Sequence, residues 1–102
     1  MSKEWVDKEV RMAKSNLMID NERTRVTEWI FEIGGETGQH VHEFDYVVVP
    51  LLDGELTIID EDGSRSVSKL FKGKTYYRDK GVNHNVVNTN NFEYRFIEVE
   101  IK

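Results

Sequence analysis

The sequence contains no cysteine, a single proline and no long apolar run. The absence of cysteine excludes disulfides, thiolate nucleophiles, iron–sulfur clusters and cysteine-based zinc sites. No apolar stretch approaches the ~20 residues that a membrane-spanning helix requires. The first residues interleave charges and lack a hydrophobic signal core, so secretion is not expected and the cytoplasm is the expected compartment.

Positive charge is also scarce, with 14 Lys and Arg against 19 Asp and Glu, which gives a net charge of −5. An acidic surface repels phosphate groups, so we expect neither a nucleic-acid partner nor a membrane partner. The 102 residues suffice for one domain with one modest core. Since no disulfide supports so small a domain, its stability must come from that core or from a second subunit.

Short segments with a period of two residues dominate the chain, and turn signals such as Asp53-Gly54 separate them every 8–12 residues. About nine strands result, which predicts an all-β fold: a small antiparallel β-barrel or sandwich with little or no helix. Residues 17–102 form this predicted barrel domain. Residues 1–16 fit neither the strand nor the helix period, and we interpret them as a short helix or an arm.

Two strands carry specific expectations about burial. The continuous apolar run 47–52 predicts a strand that is buried on both faces, with Pro50 at a bulge or unpaired position. In the last strand, Ile97, Val99 and Ile101 make one face wholly apolar, and we expect that face to pack in the core. The opposite face of this strand is mixed.

The chain has only three histidines: His40, His42 and His84. Residues i and i+2 of a strand lie on the same face, so the first two imidazoles should be close together. Imidazole is the commonest protein ligand for several transition metals. A third imidazole from a neighbouring strand would complete a three-ligand site with open positions. The His-x-His pair alone is a weak signal, because strand histidines often have no ligand role.

Glycines and an asparagine at fixed distances surround the histidines. The spaced residues are Gly34, His40, His42, Gly54, Gly73, Gly81, His84 and Asn88. Their order and spacing resemble the two motifs of the cupin superfamily, written G-x5-H-x-H-x(3,4)-E-x6-G and G-x5-P-x-G-x2-H-x3-N. All three histidines fall on motif histidines, and the resemblance covers the chain from about residue 17 to its C-terminus.

The resemblance implies a jelly-roll barrel in which His40, His42 and His84 hold one divalent transition metal: iron, zinc, nickel, manganese or copper. It also implies a metal-dependent enzyme of the dioxygenase, isomerase or lyase type, acting on a small polar or carboxylate-bearing molecule. A homodimer is the expected assembly, because small cupins resembling this chain commonly pair through their sheets. The alternatives are a non-catalytic module that binds a small ligand, or a metal-free structural barrel.

The chain departs from the motifs at two positions. Asp79 replaces the motif proline, and an Asp-x-Gly sequence turns the chain equally well. The motif glutamate would fall on Tyr46 or Val47, depending on the register. Three outcomes remain open: a site of three histidines only, a Tyr46 that ligates or lies just outside the ligands, or a bulge that brings Glu43 or Asp45 to the metal.

Tyr46 is the candidate catalytic residue. Strict alternation from His40 and His42 directs its side chain into the barrel. A hydroxyl beside a divalent ion has a lowered pKa and can act as a general base. Tyr77 is a second, weaker candidate of the same kind.

Other strand residues are expected to have structural roles. Trp29 is expected to fill the barrel, with a place in the pocket as the alternative. The strand arginines are expected to face solvent, although one turned inward would clamp a substrate carboxylate. These arginines are Arg25, Arg78 and Arg95.

Overall fold

The computed structural model describes residues 11–102, and the part of the predicted arm before residue 11 lies outside the described residues. The regular elements of the described chain are nine β-strands. They are β1 (Lys14–Asp20), β2 (Thr24–Phe31), β3 (His40–Val41), β4 (Asp45–Pro50), β5 (Gly54–Asp60), β6 (Arg65–Leu70), β7 (Tyr76–Arg78), β8 (Asn83–Val87) and β9 (Tyr94–Ile101). The all-β prediction is confirmed. No helix long and apolar enough to cross a membrane occurs in residues 11–102.

The strands form two antiparallel sheets that face each other. The five-stranded sheet has the order β1-β2-β9-β4-β7, and the four-stranded sheet has the order β3-β8-β5-β6. Strands that are adjacent in sequence often lie in different sheets, which is the jelly-roll arrangement. The strand β1 starts at Lys14, so extended structure reaches three residues ahead of the predicted boundary at residue 17.

The core lies between the sheets and is rich in aromatic side chains. Alternate residues of each central strand point inward, because successive side chains of a strand point to opposite faces. The buried apolar residues are Phe31, Tyr46, Val48, Leu56, Leu70, Val86, Tyr94 and Phe96.

Strand β4 differs from its prediction, because it is buried on one face and not on both. Tyr46, Val48 and Pro50 are buried, whereas Val47 and Val49 are half-buried on the outer face of the sheet. Pro50 ends the strand opposite Phe96 and does not occupy a bulge. A proline at the last position of a strand leaves the hydrogen bonds of the preceding residues intact.

The prediction for β9 is wrong, since its faces are the reverse of those expected. Tyr94, Phe96 and Glu98 are buried inside the barrel, while Ile97 is half-buried and Ile101 is 45% exposed on the outside. The large aromatic rings of the inner face fill more of the barrel than the branched aliphatic side chains could. The inner face therefore carries a glutamate toward the interior.

At one end of the barrel, Asn88 joins several loops and is 0% exposed. Its amide nitrogen donates to the carbonyl oxygens of Phe31, Glu32 and Phe92, and its own oxygen accepts from Asn90. These bonds connect the segments around residues 31–32 and 88–92 through one buried side chain whose own polar atoms are satisfied. We call this region the Asn88 end.

Gly54 also belongs to the Asn88 end. A Cβ atom at this position would lie 2.9 Å from Cε1 of Tyr94 and 3.1 Å from Oδ1 of Asn90. The hydroxyl of Tyr94 donates to the carbonyl oxygen of Leu52 at 2.7 Å, which holds the ring in place. The glycine at this motif position therefore allows the Tyr94 ring to pack closely against the backbone.

Candidate metal centre

The three histidines meet at the other end of the barrel, on the inner surface of the four-stranded sheet. His40 in β3 pairs directly with His84 in β8. The pairing continues past β3, because the His42 amide donates to the Val82 carbonyl and the Gly81 amide donates to the His42 carbonyl. Gly81 adopts a φ of 96°, which favours glycine at this turn. We call this region the histidine end.

The imidazole nitrogens converge on one point. The Nε2 atom of His42 lies 3.0 Å from Nε2 of His40 and 3.1 Å from Nε2 of His84. Nδ1 of His40 lies 2.8 Å from the carbonyl oxygen of Gly38, an acceptor only, so Nδ1 carries the proton. The lone pair of His40 is therefore on Nε2, facing the other two rings.

This geometry fits a divalent transition metal. Metal–imidazole bonds of about 2.0–2.1 Å place neighbouring ligand nitrogens roughly 2.9 Å apart at right angles and about 3.4 Å apart in a tetrahedron. The observed separations of 3.0 and 3.1 Å fall within this interval. Within residues 11–102, His40, His42 and His84 form the one group of potential ligands close enough to share an ion.

The surroundings favour the neutral form of His42 and His84, which metal ligation requires. Burial, together with the charges of the neighbouring histidines, lowers the pKa of His42 to about 4. Burial and the charge of His40 lower the pKa of His84 to about 4, against a weaker opposing effect of Asp60.

Tyr46 lies inside the barrel beside the histidines and is 3% exposed. Its ring stacks on the imidazole of His42, with centroids 4.0 Å apart and planes 19° apart. Burial and the nearby carboxyl group of Glu98 raise the pKa of the Tyr46 hydroxyl. The stacking fixes the plane of a ligand, which is a role that sequence reasoning did not assign to this tyrosine.

No carboxylate takes the place of the motif glutamate among the ligands in the described chain. Val47 points outward, between Val99 and Tyr77. A side-chain oxygen of Asp45 accepts from the backbone amide of Lys80, which holds it away from the histidines. Glu43 is exposed and lines the mouth of the cavity.

Glu98 is the functional residue that sequence reasoning missed. It lies on the central strand β9, is 7% exposed, and has Oε2 3.8 Å from Nδ1 of His42. Its Oε1 accepts a hydrogen bond from Nε1 of Trp29 at 3.4 Å. Burial and the charge of Glu100 raise the pKa of Glu98 to about 7. The aromatic residue two positions earlier, Phe96, was the available signal that this face is the inner one.

Two further predictions need correction. Trp29 lines the cavity and does not merely fill the barrel. Tyr77 is 49% exposed on the outer face, where a hydrogen bond to Asp45 raises the pKa of its hydroxyl to about 12. Tyr76 lines the cavity instead. None of the three strand arginines is among the cavity-lining residues of the described chain.

A cavity of about 280 Å³ opens in front of the histidines. Its walls are mainly apolar and aromatic, with polar groups at the histidine end, which is the usual composition of a small-molecule site. The wall residues besides the histidines include Trp29, Tyr46, Val48, Ile58, Tyr76, Val86, Phe96, Glu98 and Glu100.

A jelly-roll barrel with clustered histidines at one mouth defines the class of small double-stranded β-helix proteins. No family model matches the chain. The chain is 47% identical to the beta-alanine degradation protein BauB of Pseudomonas aeruginosa over 90 residues, which are 88% of this chain and 94% of that protein. It is also 47% identical to a cupin domain of Bordetella pertussis, with a TM-score of 0.88 over 92% of this chain and 97% of that one.

A double-stranded β-helix protein of Klebsiella pneumoniae shares the fold at 22% identity. Its TM-score is 0.72, and the match covers 94% of this chain and 85% of that one. With two relatives at 47% identity that align over almost their whole length, the chain belongs to the cupin superfamily.

Proposed function

We propose that this cupin is a metal-dependent enzyme that acts on a small carboxylate-bearing molecule in the degradation of β-alanine. The convergence of three Nε2 atoms at one end of a mainly apolar cavity is the observation that carries this proposal. The name of its 47% identical Pseudomonas relative supports the metabolic context. The proposed compartment is the cytoplasm, where small amino-acid derivatives are degraded.

His40, His42 and His84 would hold the metal, which would be iron, zinc, nickel, manganese or copper. When bound by neutral imidazoles, such an ion supplies a Lewis acid that attracts a carboxylate and polarises it. Tyr46 contributes a hydroxyl beside this position and is the proposed catalytic residue for moving a proton. The aromatic walls exclude water around a small substrate.

Elemental analysis of purified protein tests the metal centre. We expect about one metal ion per chain in the wild type. Protein that contains no metal after growth and purification in metal-supplemented medium would favour the metal-free structural barrel.

Turnover assays separate the two remaining functions. Metal-loaded protein is incubated with β-alanine and related three-carbon acids, while an oxygen electrode and proton NMR follow the reaction. Consumption with oxygen uptake indicates a dioxygenase, and consumption without it indicates isomerase or lyase chemistry. Saturable binding of these acids without any conversion would instead identify a non-catalytic ligand-binding module.

The outer face of the five-stranded sheet supports a homodimer. One row of apolar residues crosses all five strands in register: Ile19, Val26, Val99, Val47 and Tyr77. The two ends of this row, Ile19 and Tyr77, are each 49% exposed. A two-fold axis would place the row against its own copy, which closes the assembly at two chains.

The charges beside this row favour the same arrangement. Glu28 and Arg95 form an ion pair at 3.4 Å, so these two charges enter the contact already paired. Light scattering should give twice the chain mass of 12.0 kDa at micromolar concentration. Tyr77→Lys should reduce this to the monomer mass, while Phe92→Lys, an exposed change away from the row, should not. A monomeric wild type would exclude this interface.

A further inference from the structure

The cavity wall contains carboxyl groups but no lysine or arginine among residues 11–102. Glu43, Glu98 and Glu100 line it. Arg78 stacks on the cavity-lining Tyr76 at 4.6 Å, but it is exposed and donates to the Tyr77 carbonyl. The walls therefore attract hydrogen-bond donors and cations, and they repel a second carboxylate.

Glu98 has unused capacity to accept hydrogen bonds. A carboxyl group offers up to four acceptor positions, and Glu98 uses one of them for Trp29 Nε1 at 3.4 Å. Within residues 11–102, its Oε2 forms no hydrogen bond, because the 3.8 Å separation from His42 Nδ1 is too long for one. Glu100 differs, since its carboxylate lies 3.8 Å from the Arg25 guanidinium.

A polar group buried without partners costs free energy, and proteins keep such groups mainly at functional sites. Glu98 is buried on the central strand of the sheet, between Thr27 of β2 and Val48 of β4. Its backbone cannot move without disturbing both neighbouring strands. The position of its carboxyl group beside the histidines is therefore fixed by the fold.

We propose that Glu98 is the specificity residue of the site and binds the amino group of a short amino acid whose carboxylate lies at the three histidines. This rests on the proposed function, because the metal must hold the carboxylate end. Glu98 accepts a hydrogen bond from the ammonium group in either protonation state, and an ionised carboxylate adds charge attraction. A dicarboxylic acid of the same length is rejected by Glu98 and Glu100.

The test compares three acids of equal chain length on metal-loaded protein. β-Alanine carries an amine, propionate carries none, and malonate carries a second carboxylate. Isothermal titration calorimetry gives the affinity of each acid for wild type, Glu98→Gln and Glu22→Gln. Glu22 lies in the exposed turn between β1 and β2, so its variant has the same charge change outside the cavity.

We expect wild type and Glu22→Gln to bind β-alanine about tenfold more tightly than propionate, with malonate weakest. Glu98→Gln should lose this preference, hold propionate as the wild type does, and bind malonate better. Equal affinity of the wild type for β-alanine and propionate overturns the role of Glu98 but leaves the metal centre standing.

A different result identifies a role of Glu98 in holding His42. In that case Glu98→Gln weakens the binding of the metal and lowers the affinity for all three acids by the same factor. This result contradicts a specificity role. If wild type binds neither metal nor propionate, the proposed function itself fails, and the inference fails with it.

Discussion

The two ends of this barrel use the same set of motif residues for opposite purposes. At the Asn88 end, Asn88 is fully hydrogen-bonded and Gly54 makes room for the Tyr94 ring. At the histidine end, the Nε2 atoms of His40 and His42 lie 3.0 Å apart and face the cavity, and Glu98 keeps a free acceptor. One end satisfies its buried polar groups, and the other leaves them for a ligand.

This difference shows that a residue at a motif position need not take part in metal or ligand binding. A buried group whose hydrogen bonds all go to backbone carbonyls stabilises the fold, as Asn88 does. A buried group with open acceptor positions lowers the stability of the free protein and is available to bind. Substitutions at the Asn88 end should therefore lower stability, whereas substitutions of the histidines should lower metal content.

The largest effect is expected for Asn88→Ala. The change removes the amide that donates to the carbonyl groups of Phe31 and Phe92, at ~1–3 kcal/mol for each group left without a donor, while Glu32 keeps its hydrogen bond from the Gly35 amide. Such a sum approaches the whole stability of a small domain, so we expect a fall in melting temperature above about 15 °C or no folded protein. Circular dichroism measures this, with Asn91→Ala in the same turn as the control. Similar melting of both variants would remove the distinction between the ends.

At the histidine end, replacement of His40, His42 or His84 by Ala should abolish metal binding and preserve the fold. Loss of one of three ligands should reduce metal affinity by more than about a hundredfold. Elemental analysis should find less than one tenth of the wild-type metal, while the circular dichroism spectrum is unchanged. If all three variants unfold in the absence of metal, the histidines serve the core and not a metal.

Between pH 6.5 and 4, acidification should destabilise the metal-free protein through the histidine end. His42 and His84 have pKa values of about 4 when folded against 6.5 ordinarily, so the unfolded chain binds more protons and stability falls from pH 6.5 to 4. Glu98, with a raised pKa of about 7, opposes this as pH falls from 7 to 4.5. Two imidazoles outweigh one carboxyl, so the urea midpoint should decrease.

The double variant His42→Ala/His84→Ala sharpens this pH test. It keeps Glu98 and removes the two imidazoles whose pKa is lowered. Its urea midpoint should therefore stay constant or rise as the pH falls from 7 to 4.5. A decrease equal to that of the wild type would show that other groups control acid stability. In the loaded wild type, metal release should begin at roughly pH 6, as protons compete for imidazole.

The smallest effect on stability and metal content is expected for Tyr46→Phe. The ring that stacks on His42 is retained and only the hydroxyl is lost, which changes stability by about 1 kcal/mol or less. Metal content should match the wild type, while turnover should fall strongly if the hydroxyl moves a proton. Full turnover by this variant would leave Tyr46 as a support for His42 and no more.

Much of the histidine end could be predicted from sequence because strand alternation is local. His40 and His42 share a face whatever the rest of the chain does. Tyr46 points inward as alternation predicts, but the strand is broken between Val41 and Asp45 and continues in the other sheet, so local alternation does not explain this direction. The prediction that the more apolar face of β9 packs in the core was wrong. Ile97 and Val99 make one face more apolar, but apolar character alone does not say which face is the inner one.

The sequence by itself determined the strands, the turns and the spacing of the histidines, since each depends on residues that are neighbours along the chain. Tertiary structure alone decided that Glu98 points inward, because the register of β9 between β2 and β4 sets the direction of its side chain. It also decided that no lysine or arginine of residues 11–102 lines the cavity. Contacts between residues as distant as His42 and Glu98 follow from sheet pairing, which no local pattern encodes.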